Sequence, residues 1–299
     1  MKRSLHLFAL ASAGLLLTAT VPFGHAAPQS PVGDWDFVLS GKQRGVAFIS
    51  FNPDSTITGG QIIVPVKPPI PKTPTVDPRN PDGITTRPGD TATTPTTSGS
   101  STTTSNVIGA TSIGGFWTYD SSGRVIGNLS QIYQDLDSTT TVTTNGTNTV
   151  IVLVMKTNGI AFRAVVTTGV RMTLNAYTRY GTVTYRGVPT MDLTDLDGDY
   201  TAETRQDGLL AFEIFTLEQD PSKLNAYNIT NGLGGSYNFS GAALFSRQKQ
   251  MAIYTISNEE KPKLSTYVGS FNPTTRRGSL NGANNTPTYG IPYKVFGRP

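Results

Sequence analysis

Residues 191–200 read MDLTDLDGDY, and the last three, Gly198-Asp199-Tyr200, repeat Gly33-Asp34-Trp35 near the start of the chain. The repetition continues. About a dozen residues after each triplet comes an Ala-Phe-x-x-Phe run, Ala47–Phe51 and Ala211–Phe215. Gly114-Gly115-Phe116-Trp117 is echoed by Gly234-Gly235-Ser236-Tyr237, Thr173-Leu174-Asn175 by Ser279-Leu280-Asn281, and Thr184-Tyr185-Arg186-Gly187-Val188-Pro189 by Thr288-Tyr289-Gly290-Ile291-Pro292. The offset is 165 at Gly33/Gly198, 120 at Gly114/Gly234 and 106 at Leu174/Leu280. Two inserts in the first copy account for the two drops. Residues 66–106 form a Pro/Thr/Ser/Gly-rich segment, and residues 137–149 read DSTTTVTTNGTNT, the sequence of a hairpin loop. Matches in constant order, with offsets explained by inserts, mark a long internal repeat. The chain therefore divides into residues 1–26, a first unit over 27–190 and a second over 191–299.

The aspartates of 191–200 resemble a calcium loop only superficially. An EF-hand loop needs an acid at position 1, Gly at 6 and Glu at 12. With Gly198 at position 6, those places hold Leu193 and Thr204. The stretch reads as a polar linker into the second repeat, and no metal or other cofactor is expected.

The first residues point to export. Met1-Lys2-Arg3 is basic, Leu7–Phe23 is apolar and uncharged, and Gly24-His25-Ala26 supplies small residues before a cut after Ala26, as in a secretory signal peptide. About 273 residues remain, with no long apolar stretch for a transmembrane helix and no Cys. Both histidines, His6 and His25, precede the cut. Histidine- and cysteine-based nucleophiles and zinc sites are thereby excluded from the mature chain. Its near-balanced charge gives no argument for nucleic acid.

Segment 66–106 lacks the large apolar residues that would offset its ordering entropy and reads as disordered. Elsewhere, β-branched and aromatic runs are bounded by Gly, Asn, Asp and Pro: residues 45–51, 149–155, 161–166, 181–185, 209–215 and 251–256. The uncharged run 149–155 belongs inside a sheet, since it would be an aggregation hazard if exposed. Helical periodicity is missing, so the strands must be antiparallel. The expected fold is all-β: two tandem antiparallel units, each a closed barrel or a sandwich of six to eight strands, with one merged sheet system as the alternative. Gly33-Asp34-Trp35 resembles the opening of lipocalin- and avidin-type barrels. That resemblance, carried by these three residues alone, implies a small ligand in the barrel mouth.

Candidate chemistry is sparse. In LLAFEIF (209–215), Leu210, Phe212 and Ile214 share one face, and Leu209, Ala211, Glu213 and Phe215 the other. Glu213, matched in the first copy by Ile49, is a carboxylate among apolar neighbours. Such a group has a raised pKa and can act as an acid, and Glu203 is the candidate partner for glycoside hydrolysis. The aromatics offer a binding surface instead: Trp35, Trp117, Tyr119, Tyr200 and Tyr237 could line a barrel mouth or stack on sugar rings, or form the core. The Arg276-Arg277 pair reads as a solvated turn. The leading expectation is an exported, non-enzymatic protein binding a small molecule or glycan. A surface or outer-membrane-associated β-protein and a carboxylate glycosidase are the alternatives.

Replacing residues 66–106 by a short Gly/Ser linker should leave the melting temperature nearly unchanged, because each doubling of loop length costs only about 0.6 kcal/mol. A scanning-calorimetry drop of ten degrees or more would show that the segment packs.

Overall fold

A computed structural model describes residues 29–65, 109–143, 146–167, 170–178, 181–193, 195–206, 208–259, 262–284 and 288–298. Only the backbone is described at 65 and over 109–111, 133–143 and 146–156. Residues 1–26, expected to be a signal peptide, and the insert 66–106 lie outside the described residues.

The fold consists of two separate closed antiparallel barrels of eight strands each. The first comprises β1 (Gly33–Gly41), β2 (Gln43–Phe51), β3 (Thr56–Pro65), β4 (Gly109–Tyr119), β5 (Val125–Thr143), β6 (Gly146–Thr167), β7 (Arg171–Thr178) and β8 (Gly181–Pro189). The second comprises β9 (Gly198–Gln206), β10 (Leu209–Gln219), β11 (Ala226–Gly234), β12 (Tyr237–Ser246), β13 (Gln250–Ser257), β14 (Leu264–Asn272), β15 (Arg277–Asn284) and β16 (Tyr289–Gly297). Each strand pairs with its neighbour in sequence, and the first pairs with the last, β1 with β8 and β9 with β16. The merged-sheet alternative does not form.

The two triplets occupy equivalent places. Gly33 and Gly198 have φ of +129° and +126°, a conformation open to glycine. Trp35 Nε1 donates to Pro31 O at 2.7 Å and Tyr200 Oη to Leu196 O at 2.9 Å, each four residues back. Asp34 accepts from Ser50 Oγ and Asp199 from Thr216 Oγ1.

Even-numbered slips separate the sequence matches from the ladders. Ala47 pairs with Phe37 as Glu213 pairs with Ala202, so Glu213 corresponds to Ala47 rather than Ile49. Leu39 pairs with Tyr185 as Thr204 pairs with Tyr293, so Tyr185 corresponds to Tyr293 rather than Tyr289. Trp117 lies near the end of β4, whereas Tyr237 opens β12. These two are not equivalent. Residues 137–143 and 146–149 of the Thr-rich stretch are strand rather than loop. The β5–β6 ladder continues through it to Thr143↔Gly146, as β-branched threonine favours. Run 149–155 lies in that ladder, paired with β5, and is continuous with 161–166 in a single strand.

Alternate residues point inward. Trp35, Phe37, Leu39, Ile49, Phe51, Leu129, Phe162 and Leu174 fill the first barrel. Tyr200, Phe215, Leu217, Phe245, Ile253 and Tyr293 fill the second. Leu196, fully buried, and Leu193 pack on the second core. The linker thus plugs the base of the second barrel, and its aspartates serve as acceptors. Asp195 Oδ1 takes the Asp197 N–H and Asp197 Oδ1 the Gln219 N–H. Arg276, expected in solvent, donates to the carbonyls of Asp197 and Asp195 at 2.9 and 3.0 Å.

Strands that are apolar on both faces mostly lie where the barrels meet. Val46, Ile62 and Val64 point out of the first barrel and pack on Leu244, Ala252, Tyr254, Leu264 and Val268 of the second. Asp36 is buried at the same seam, where its carboxylate accepts from Thr190 Oγ1 and Arg247 N. Its pKa is raised because burial outweighs those hydrogen bonds.

Trp35→Ala and Leu196→Ala should each destabilise by roughly 2–5 kcal/mol in urea denaturation. Tyr119→Ala, at a residue 36% exposed, should cost far less.

Candidate functional site

A cavity of about 260 Å³ opens at the end of the second barrel opposite Tyr200, lined by Glu213, Tyr237, Tyr267, Lys263, Ser265 and Asn284. Thr204, Arg205, Thr288 and Ile291 complete its wall. The strand alternation of β10 creates it. Phe215 and Leu217 continue inward below Glu213, whereas Leu210, Phe212 and Ile214 point out and are 59%, 55% and 42% exposed.

Glu213 is 7% exposed and saturated with tyrosine donors. Tyr237 Oη donates to Oε1 and Tyr293 Oη to Oε2, both at 2.8 Å. Tyr293 in turn stacks on Tyr267, with ring centroids 4.0 Å apart. Gly282 makes room for this pair, because a Cβ there would overlap the Tyr267 ring. Burial raises the Glu213 pKa, and the two tyrosine hydrogen bonds and Lys263 only partly oppose it. Burial, together with the charge of Glu213, also pushes the hydroxyls of Tyr237, Tyr267 and Tyr293 up. The three phenols therefore act as neutral donors and acceptors. Tyr267 reaches the cavity wall beside the carboxyl, and the fully buried Tyr293 backs its ring.

The first barrel carries a different arrangement at the matching place. Tyr185, equivalent to Tyr293, donates to Gln61 Oε1 at 3.0 Å, and Ala47 stands in place of Glu213. Gln61 and Gln131 are both 1% exposed, and their Nε2 atoms find no partner among the described residues.

The six candidates separate into two groups. Glu213 and Tyr237 meet at the cavity. Trp35, Tyr200 and Trp117 are 3%, 1% and 7% exposed and belong to the packed interior, and Tyr119 packs edge-on against Trp117 at 5.5 Å. Glu203 and Glu213 do not form a catalytic pair. Glu203 lies opposite Phe212 on the outer face and contacts Lys294 at 3.9 Å. Tyr267, Tyr293 and Lys263 were not singled out from sequence. The available signal was the in-facing parity of Tyr293 on the last strand. No family model, curated protein or solved structure matches the chain.

Because the folded-state pKa of Glu213 is raised above 4.5, its favourable contribution is complete below 4.5 and is lost as pH rises through the folded value. The melting temperature of the wild type relative to Glu213→Gln should therefore increase as pH falls from about 7 toward 4.5. Parallel pH profiles of the two proteins would contradict it.

Proposed function

We propose that this is an exported, non-enzymatic binding protein that holds a small polyhydroxylated ligand, a free sugar or a terminal glycan residue, in the mouth of the second barrel. The observation that carries the reading is Glu213: a buried carboxyl held by two tyrosine hydroxyls at the wall of an open cavity. Small-ligand sites combine apolar surface with a few convergent polar groups. Here the tyrosine rings supply the surface for the C–H face of a sugar ring. Glu213, Thr204, Ser265 and Asn284 surround it with hydrogen-bonding groups, and Arg205 and Lys263 add positive charge. A volume of about 260 Å³ suits one ring rather than a large ligand.

Binding is favoured over hydrolysis because Glu213 is the one carboxyl among the described residues lining the cavity. Glycoside hydrolysis needs a second, about 5–9.5 Å away. The apolar interiors of both barrels are the reverse of a water-filled channel barrel. Export rests on the pattern of Met1–Ala26. No helix among the described residues is long and apolar enough to cross a membrane.

Titration calorimetry against a panel of mono- and disaccharides should reveal a saturable ligand. Glu213→Gln and Tyr293→Phe should each weaken it by about tenfold or more, the scale of a hydrogen bond to a charged group, with the fold retained by circular dichroism. Trp35→Phe should leave affinity unchanged. Absence of any ligand, or affinity indifferent to Glu213→Gln, defeats the reading. Turnover of aryl glycosides, lost in Glu213→Gln, would favour the hydrolase instead.

A further inference from the structure

The first barrel presents a second surface, on the outer face of β4–β7. Phe116, Asn128, Ala161 and Tyr177 form one cross-strand row, each paired with the next. The two aromatics at its ends are 61% and 50% exposed, high values for large apolar rings. Between them the floor is low, made of Ala161 and the half-buried Asn128. The result is a shallow depression of about 730 Å³ bounded by Phe116 and Tyr177. Three strand spacings separate the rings, about 14 Å, the length of a short oligosaccharide.

The charge on this face has one sign. The next row places Arg163 opposite Ile126, within the depression. Arg124 and Arg171 follow toward the base, and all three arginines are exposed. No ion pair among the described residues includes them; the pairs found, Lys223–Asp220 and Lys294–Glu203, lie on the second barrel. The chain has no glutamate before Glu203. Asp120, the acid nearest this face, is engaged in its own turn by Ser122 and the Arg124 N–H.

We infer that this face binds a linear anionic polysaccharide, one carrying carboxylate or sulfate groups. Aromatic rings at both ends stack on the apolar faces of sugar rings, Asn128 reaches hydroxyls, and Arg163 pairs with the acidic substituent as a planar, bidentate donor. A purely apolar docking partner would not use the arginines. A purely electrostatic one, nucleic acid or an anionic membrane, would not need two rings held apart over a small-residue floor. This surface is distinct from the cavity at Glu213, and its ligand need not be the same.

The test uses the whole mature protein and polygalacturonate as probe, in affinity electrophoresis and biolayer interferometry, with neutral dextran, single-stranded DNA and anionic phospholipid vesicles beside it. The expected result is saturable binding to polygalacturonate, weakened by salt, and little to dextran. Arg163→Glu should weaken it by about tenfold or more. Phe116→Ala and Tyr177→Ala should each weaken it by roughly threefold to tenfold, with unchanged melting temperature because both rings are exposed. Lys223→Ala, on the second barrel, should leave binding as it is. No binding to polygalacturonate, equal retention by dextran, tighter binding to DNA or vesicles, or indifference to both aromatic substitutions would each overturn the inference.

Discussion

Each half of this protein depends on the ladder between its first and last strands. With no cysteine, the chain has no disulfide to hold a sheet in shape, and no helix is found among the described residues to cover an open edge. An eight-stranded sheet left open would expose two rows of unpaired N–H and C=O groups. Pairing Trp35 through Gly41 with Pro189 through Val183, and Tyr200 through Thr204 with Gly297 through Tyr293, removes those edges. Closure also separates an inside from an outside. Alternate residues of the strands are thereby committed to a core where their side chains are described, and the opposite set remains for other uses.

Those other uses differ around the circumference. On one side the outer residues of β2 and β3 meet those of β12–β14 in a second apolar layer, with Asp36 held at its margin by Thr190 and the backbone of Arg247. On the first barrel, β4–β7 turn rings and arginines to solvent. Along the barrel axis there is a further division. The base of the second barrel is sealed by Tyr200 and the linker leucines, and its mouth is left to Glu213 and its tyrosines. The two barrels share one topology yet differ at the matching interior place, where Tyr185 meets glutamines and Tyr293 meets a carboxylate. Ala47 and Gln61 stand in the first barrel where Glu213 and Gly234 stand in the second, so the acceptor for the tyrosine comes from β3 in one barrel and from β10, the counterpart of β2, in the other.

The repeat was legible because Gly33-Asp34-Trp35 and Gly198-Asp199-Tyr200 answer to one local demand: a glycine conformation followed by an aromatic donating four residues back. The detailed matches further along were out of register by even numbers of residues, two at Glu213 and four at Tyr185. Alternation has a period of two, so any even slip keeps each side chain on its face. Hydrophobic patterning could therefore assign Glu213 to the same face as Phe215, which is correct, while assigning it the wrong counterpart. The Thr-rich stretch 137–149 was misread for a related reason. Its polarity suggests a loop, but its β-branched side chains extend a ladder.

The sequence by itself determined the fold class, the two-unit organisation, the face that Glu213 shares with Phe215 and the absence of histidine and cysteine chemistry after Ala26. All of these follow from local steric preference, period-two patterning and composition. Tertiary structure alone decided which of the aromatic candidates are core and which line a cavity. Trp35, Tyr200 and Trp117 differ from Tyr237 in height along a barrel axis, a coordinate that alternation does not contain. It also decided that Glu213 would meet Tyr293, 80 residues away, and that Glu203, on the neighbouring strand, would not join them. Strand pairing sets the neighbours, and barrel curvature determines which inward side chains converge. Neither is encoded in any single stretch of the chain.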